Sequence, residues 1–393
     1  VWGSLAETWA RTVASDPSLV ELMSIAADRA RAISDRAPAA RRASAAIALA
    51  TGNAGRAADL LTECGEPASL AGTRGSTVDL GCAVMLAEVQ GNEDALATLD
   101  ERLAGVLPIR LALARVHEAE GRYGDATALL RKLTAAWPNE PEPWRVLFRA
   151  SVAIGDWKTA RQAGEKLSAL APHLLVERAR LGAIHLKVRR DGGKALAELE
   201  AVIAHEGFSR HPDRIQVFSD AAAAAIDLGR LEQALAFADQ GLAEVGTHPV
   251  PSLQKARALQ LQGRSTEAEK VLRGMEPGNL SGHALAQYHL GAARIYVDAG
   301  RERLAETELT SASEADPGWG MVLVESARNR LMVGNRDAAM QLLEQLAFMD
   351  LTQDRARAPL SALWLPEPDW RALQKQIDRE LVGDARFANR GVV

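Results

Sequence analysis

The side chains able to do chemistry are few and scattered. Among eight histidines, none stands at the short spacing that holds a metal; His283 and His289, six apart, would face different sides of a helix. Cys64 and Cys82 are the only cysteines and form no CxxC pair, so they read as ordinary buried thiols. Asp191, Gly192, Gly193 and Lys194 come nearest to a phosphate-binding loop. Val188, five before Gly193, stands where such a loop has its first glycine, and Ala195 replaces the hydroxyl that would hold magnesium, so the segment reads as a turn between helices. There is no GxSxG, HExxH or GxGxxG. The expectation is a chain without catalytic residues, cofactor or metal.

Arginine is the remaining candidate. Of 46 basic residues eight are lysine and thirty-eight arginine, against 51 acidic residues, for a net charge of -5. That balance argues against the backbone of a nucleic acid as the main ligand. With so much alanine alongside, the arginine excess also fits a GC-rich bacterial genome. The 393 residues are 47% hydrophobic and only 4% aromatic, and the longest apolar runs, such as 221–226, fall far short of the roughly 20 residues that span a bilayer. The chain starts at Val1 and residues 2–14 carry Glu7 and Arg11, unlike the apolar core of a signal peptide. A removed or missing upstream segment is the expectation, and bacterial cytoplasm and periplasm both stay open.

The elements that would position the arginines repeat. A glycine followed five residues later by alanine recurs as Gly52 and Ala57, Gly121 and Ala126, Gly155 and Ala160, Gly229 and Ala234, Gly263 and Ala268, Gly300 and Ala305, and Gly334 and Ala339. Three of the intervals between successive glycines are 34 residues. Two degraded units are expected near 74–105, around Gly91, and near 174–206, around Arg190, as places for a bend or a looser stack. Within a unit, a helical stretch precedes the glycine, which ends it by adopting positive φ, and a second amphipathic stretch follows. Seven before the glycine stands Ala45, Ala114, Ala222, Ala256, Ala293 or Ala327, with Phe148 the exception. Small residues there and five after the glycine would let two helix backbones meet closely. Each unit is a hairpin of antiparallel helices.

This pattern resembles the tetratricopeptide repeat, most closely in Ala114, Gly121, Tyr123, Ala126, Leu130 and Pro138, and again in Ala293, Tyr296, Gly300, Ala305, Leu309, Ala312 and Pro317. The resemblance implies an all-α fold, an α-solenoid of antiparallel helix pairs wound as a right-handed superhelix. About nine repeats are expected over 38–352, with an N-terminal helical cap at 1–37 and a C-terminal cap segment and helix at 353–393. The sequence departs from the family at Gly164, which takes a slot filled elsewhere by Leu61, Leu130, Leu272, Leu309 or Leu343.

Six before the turn glycine stands Arg115, Arg149, Arg257, Arg294 or Arg328, a position that in the family lies on the concave surface and meets ligands. With Arg145 these form the expected partner-binding set, fitted to an acidic peptide segment or a chain terminus by arginine's planar fork. The same arginines can instead be neutralised within their own helices, Arg115 by Glu118 and Arg328 by Glu325. The lysine and asparagine clamp of the chaperone-binding subtype is absent, its columns holding Ala46, Leu111, Ala112, Val146 and Asp220. Trp364 and Trp370 form either a cap core or a secondary docking surface. The expected function is a non-catalytic scaffold or adaptor for a protein partner. The alternative is the repeat module of a larger membrane-anchored envelope-assembly or regulatory protein, with an anchor or catalytic part upstream of Val1.

Overall fold

A computed structural model describes residues 24–29, 32, 38–65, 79–103, 105–189, 191–245, 248–274, 280–317, 319–339, 341–342 and 345. The expected caps, and with them Trp364 and Trp370, lie outside or largely outside these residues. Among the described residues the secondary structure is all helix and turn, without a strand.

Two units are distinguished. The first holds α1 (Pro38–Ala50), α2 (Ala54–Gly65), α3 (Leu80–Val89), α4 (Glu93–Leu103), α5 (Leu107–Ala119), α6 (Tyr123–Ala136), α7 (Pro141–Ala153), α8 (Trp157–Leu170) and α9 (Leu175–Ile184) as far as Leu181. The second runs from Gly182 and, after residues 204–212, which belong to the first, from Asp213. It holds α10 (Gly192–Ile203), α11 (Arg214–Asp227), α12 (Leu231–Val245), α13 (Pro249–Leu261), α14 (Ser265–Arg273), α15 (Gly282–Asp298), α16 (Glu302–Ala315) and α17 (Gly320–Met332). In each unit consecutive helices pack as hairpins, and the first helices of successive pairs touch, α5 on α7 in one and α13 on α15 in the other.

The turn that closes a hairpin is the same at each of the turn glycines from Gly52 to Gly334. At Gly121, φ is +75°, a backbone that costs a side-chain-bearing residue about 1 kcal/mol or more. It lets the Arg122 amide reach back to the His117 carbonyl at 2.8 Å, while the Arg122 carbonyl accepts from Ala126 and starts α6. The Gly91 unit, expected to be degraded, has this turn intact, with φ +62° and Asn92 donating to the Ala87 carbonyl.

Beyond the turn, small residues set how the helices meet. All six alanines seven before the glycine and all seven alanines five after it are fully buried. Ala45 and Ala57, Ala256 and Ala268, and Ala327 and Ala339 each share one apolar cluster. Longer side chains flank these crossings, as Leu61 and Leu86 flank the first.

Two departures have physical reasons. In the α7–α8 hairpin the sizes are exchanged: Phe148 fills the alanine slot and Gly164 the leucine slot. A Cβ on Gly164 would meet Leu181 Cδ1 at 2.9 Å and Phe148 Cε2 at 3.0 Å, so the ring occupies the volume that a leucine takes in other pairs. In the Arg190 unit, α9 runs into a π-helical turn, His185–Arg189. There the Asp191 amide reaches back six residues to His185, where other turns reach back five. One extra residue is absorbed in that turn. Counted past that insertion, Gly182 takes the alanine position, and a Cβ on it would meet Leu199 Cγ at 2.8 Å.

The reading of Cys64 and Cys82 as separate thiols is corrected. The two are joined in a disulfide with Cα atoms 5.9 Å apart. α3 returns beside α2, which brings together residues 18 apart in the chain.

The size exchange predicts a coupled pair. Phe148→Ala should cost about 3–5 kcal/mol through the cavity it leaves. Gly164→Leu alone should destabilise by overpacking. The double variant F148A/G164L should lose less than F148A alone, measured by denaturant unfolding; additive losses would refute the exchange.

Candidate interaction face

The first helices of successive pairs bring the arginine column together with glutamates, and the pairing runs between helices. In the first unit Arg115 on α5 donates from Nη2 to Glu142 Oε2 on α7 at 2.8 Å, with Glu88 on α3 3.5 Å from its Nη1. Arg149 on α7 grips Glu118 on α5 through Nε at 3.1 Å and Nη2 at 2.6 Å. Arg145 donates from Nε to Glu177 on α9 at 2.6 Å, and Glu142 stands 3.5 Å from its Nη1. Glu118, one turn from Arg115 in sequence, thus serves the next helix.

In the second unit the spacing changes but one motif returns. Arg294 on α15 donates from Nε to Glu325 on α17 at 2.7 Å, and Arg328, three residues beyond Glu325, stands 3.6 Å from its other oxygen. Glu142 and Glu325 therefore play one part: each takes an arginine from the preceding first helix and a second from three residues further along its own. Arg257 on α13 lies 3.8 Å from Asp227 Oδ1 at the end of α11. Lys187 pairs with Asp220 at 3.1 Å.

Burial divides five of these arginines by role. The Arg145 side chain is 4% exposed against Glu177 at 6%, and Arg294 is held on a Glu325 that is 1% exposed, so both pairs are part of the packing. Arg115, Arg149 and Arg257 are between about a quarter and a third exposed. Burial works against the charge of Arg149, but hydrogen bonds and charge from Glu118, with Glu177 and Glu142 behind it, hold the guanidinium above its ordinary pKa. It stays cationic at any pH the fold survives.

A second set of ions ties the turns. Arg122, just after Gly121, bonds to Glu93 at the start of α4, and Arg301, just after Gly300, bonds to Glu269 on α14 at 2.9 Å. Hydrogen bonds from Arg122 and His117 hold the Glu93 carboxyl below its usual range.

The chemistry available to this face is charge-assisted hydrogen bonding. Among the described residues no group of three or more His, Cys, Asp or Glu could hold a metal ion, and no helix is long and apolar enough to cross a membrane. His283 meets Asp316 at 2.8 Å and Gln287 at 3.0 Å, beside the Trp319 ring. Sequence reasoning passed over this cluster because its members come from three segments.

A family model of the tetratricopeptide repeat matches residues 107–150, the stretch that holds α5, α6 and most of α7. Among solved structures, the chain is similar to a tetratricopeptide repeat protein from Parabacteroides merdae. Identity is 12%, TM-score 0.42, and 72% of this chain and 98% of that one are covered. It is similar as well to human IFIT1 bound to m7Gppp-AAAA (17%, TM-score 0.43, 88% and 82% covered) and to pilF of Pseudomonas aeruginosa (16%, TM-score 0.39, 58% and 95% covered). No curated protein matches the chain.

The buried pair predicts an asymmetric response to substitution. Arg145→Ala, which strands Glu177, should cost about 3–5 kcal/mol, while R145M/E177L should cost markedly less, because no charge is then left buried. Equal losses in thermal or urea unfolding would contradict the assignment.

Proposed function

We propose that this chain, which carries tetratricopeptide repeats, is a non-catalytic scaffold that holds acidic segments of a protein partner on the arginine-bearing first helices of its units. The observation that carries the reading is the set of half-open pairs at Arg115, Arg149 and Arg257, each a guanidinium held in place by a carboxylate and still partly exposed. Pre-positioning removes much of the entropy an arginine would lose on binding, and a partner carboxylate can compete for its donors. Helix-pair stacks offer extended surfaces of this sort and hold partners without a deep pocket. Arg145, Arg294 and Arg328 are instead held on the buried carboxylates of Glu177 and Glu325.

A second reading, the repeat module of a larger envelope-assembly or regulatory protein, is favoured by one observation, the Cys64–Cys82 disulfide, since such bonds persist outside reducing cytosol.

The test uses labelled 12-residue peptides, one rich in Asp and Glu, one in Lys, and one neutral. The acidic peptide should bind best by fluorescence anisotropy, and R115Q/R149Q/R257Q should weaken it by more than roughly tenfold with an unchanged helical circular dichroism spectrum. Glutamine avoids the like-charge contacts that glutamate would create beside Glu142 and Glu118. Equal binding of the three peptides, or unaltered binding by the variant, would overturn the proposal.

A further inference from the structure

The joint between α2 and α3 differs from the other joints in two ways. Its connection, residues 66–79, is longer than those at 137–140, 171–174 and 316–319. And it carries the one disulfide, between the last turn of α2 and the first turn of α3.

By its length alone, such a connection restricts the placement of the α1–α2 pair less than a connection of four residues would. The covalent bond ties together the two helices that this connection joins. Asp79 works at the same place: it caps α3 by accepting from the Cys82 amide at 2.9 Å, and it pairs with Arg42 on α1. The ion pair and the disulfide both link the α1–α2 hairpin to α3. Only the disulfide responds to redox conditions.

We propose that the Cys64–Cys82 bond is a redox staple: oxidised, it docks the α1–α2 hairpin on α3, and reduced, it releases that hairpin while the later pairs stay folded. The bond forms when the two thiols pass two electrons and two protons to a disulfide-bearing thiol oxidant, whose own disulfide becomes two thiols; a dithiol reductant reverses the exchange. The working form of the protein therefore belongs in an oxidising compartment. The inference stands on the joint, not on the arginine face, and survives failure of the peptide-binding reading.

The experiment compares the full chain, oxidised and after reduction with dithiothreitol, by hydrogen exchange and mass spectrometry. Amides of 38–65 should exchange on the order of a hundredfold faster after reduction, the loss expected for a closed loop of this length, while those of α5–α8 keep their protection. C64A/C82A, which removes the bond without burying a hydroxyl, should match the reduced chain under oxidising conditions. Unchanged exchange in 38–65 on reduction would overturn the proposal. So would a chain taken from its native cells into acid with both thiols open to alkylation before any reductant is added.

Discussion

The close crossing of two helices in each hairpin is the constraint from which the other features follow. At the alanine crossings the side chains buried are methyl groups, so a pair can settle close together at one separation and one angle. The positive-φ glycine sets how the chain enters the second helix, and the alanine five residues later is where that helix meets the first. Large residues are then displaced to the flanks, where Leu61, Leu130, Leu272 and Leu309 pack between neighbours. The α7–α8 hairpin shows that the total volume is what matters: Phe148 and Gly164 exchange places, and the crossing survives.

Close crossings fix the register between successive first helices, and register decides the electrostatics. Arg115 reaches forward to Glu142 and Arg149 reaches back to Glu118 because α5 and α7 are held at one offset. In the second unit the glutamate sits nearer the turn, and Arg294 finds it at Glu325. Few of these charges are spent on stability in the simple sense, since exposed pairs contribute little. What they do is hold guanidinium groups in place within each unit: in the first, Arg145 is packed and Arg115 and Arg149 stay partly exposed; in the second, Arg294 is held on a buried glutamate and Arg257 stays partly exposed.

The glycines and alanines were legible because each works within one hairpin, at fixed sequence spacing. Most of the features that escaped depend on a neighbour. Arg115 looked as if Glu118 could neutralise it, being one turn away; only the adjacent helix shows that Glu118 belongs to Arg149. Cys64 and Cys82 gave no signal, since their meeting depends on α3 returning beside α2. Gly164 was visible as a departure, but its compensation by Phe148 is a matter of volume. The Arg190 unit looked degraded because a single inserted residue, taken up in the π turn, shifts its small residue to Gly182. The candidate site was legible as a column of arginines, while its division into packed and accessible members needed burial.

The claim that small residues at the crossings hold the architecture together is tested most directly by enlarging one of them. Ala256 is fully buried at the α13–α14 crossing, and Ala284 is exposed on α15. Thermal unfolding of Ala256→Leu and Ala284→Leu measures the difference between a crossing and a surface. The account predicts a fall in Tm of more than about 5 °C for the first, and less than about 1 °C for the second. Equal and small shifts for both would contradict it.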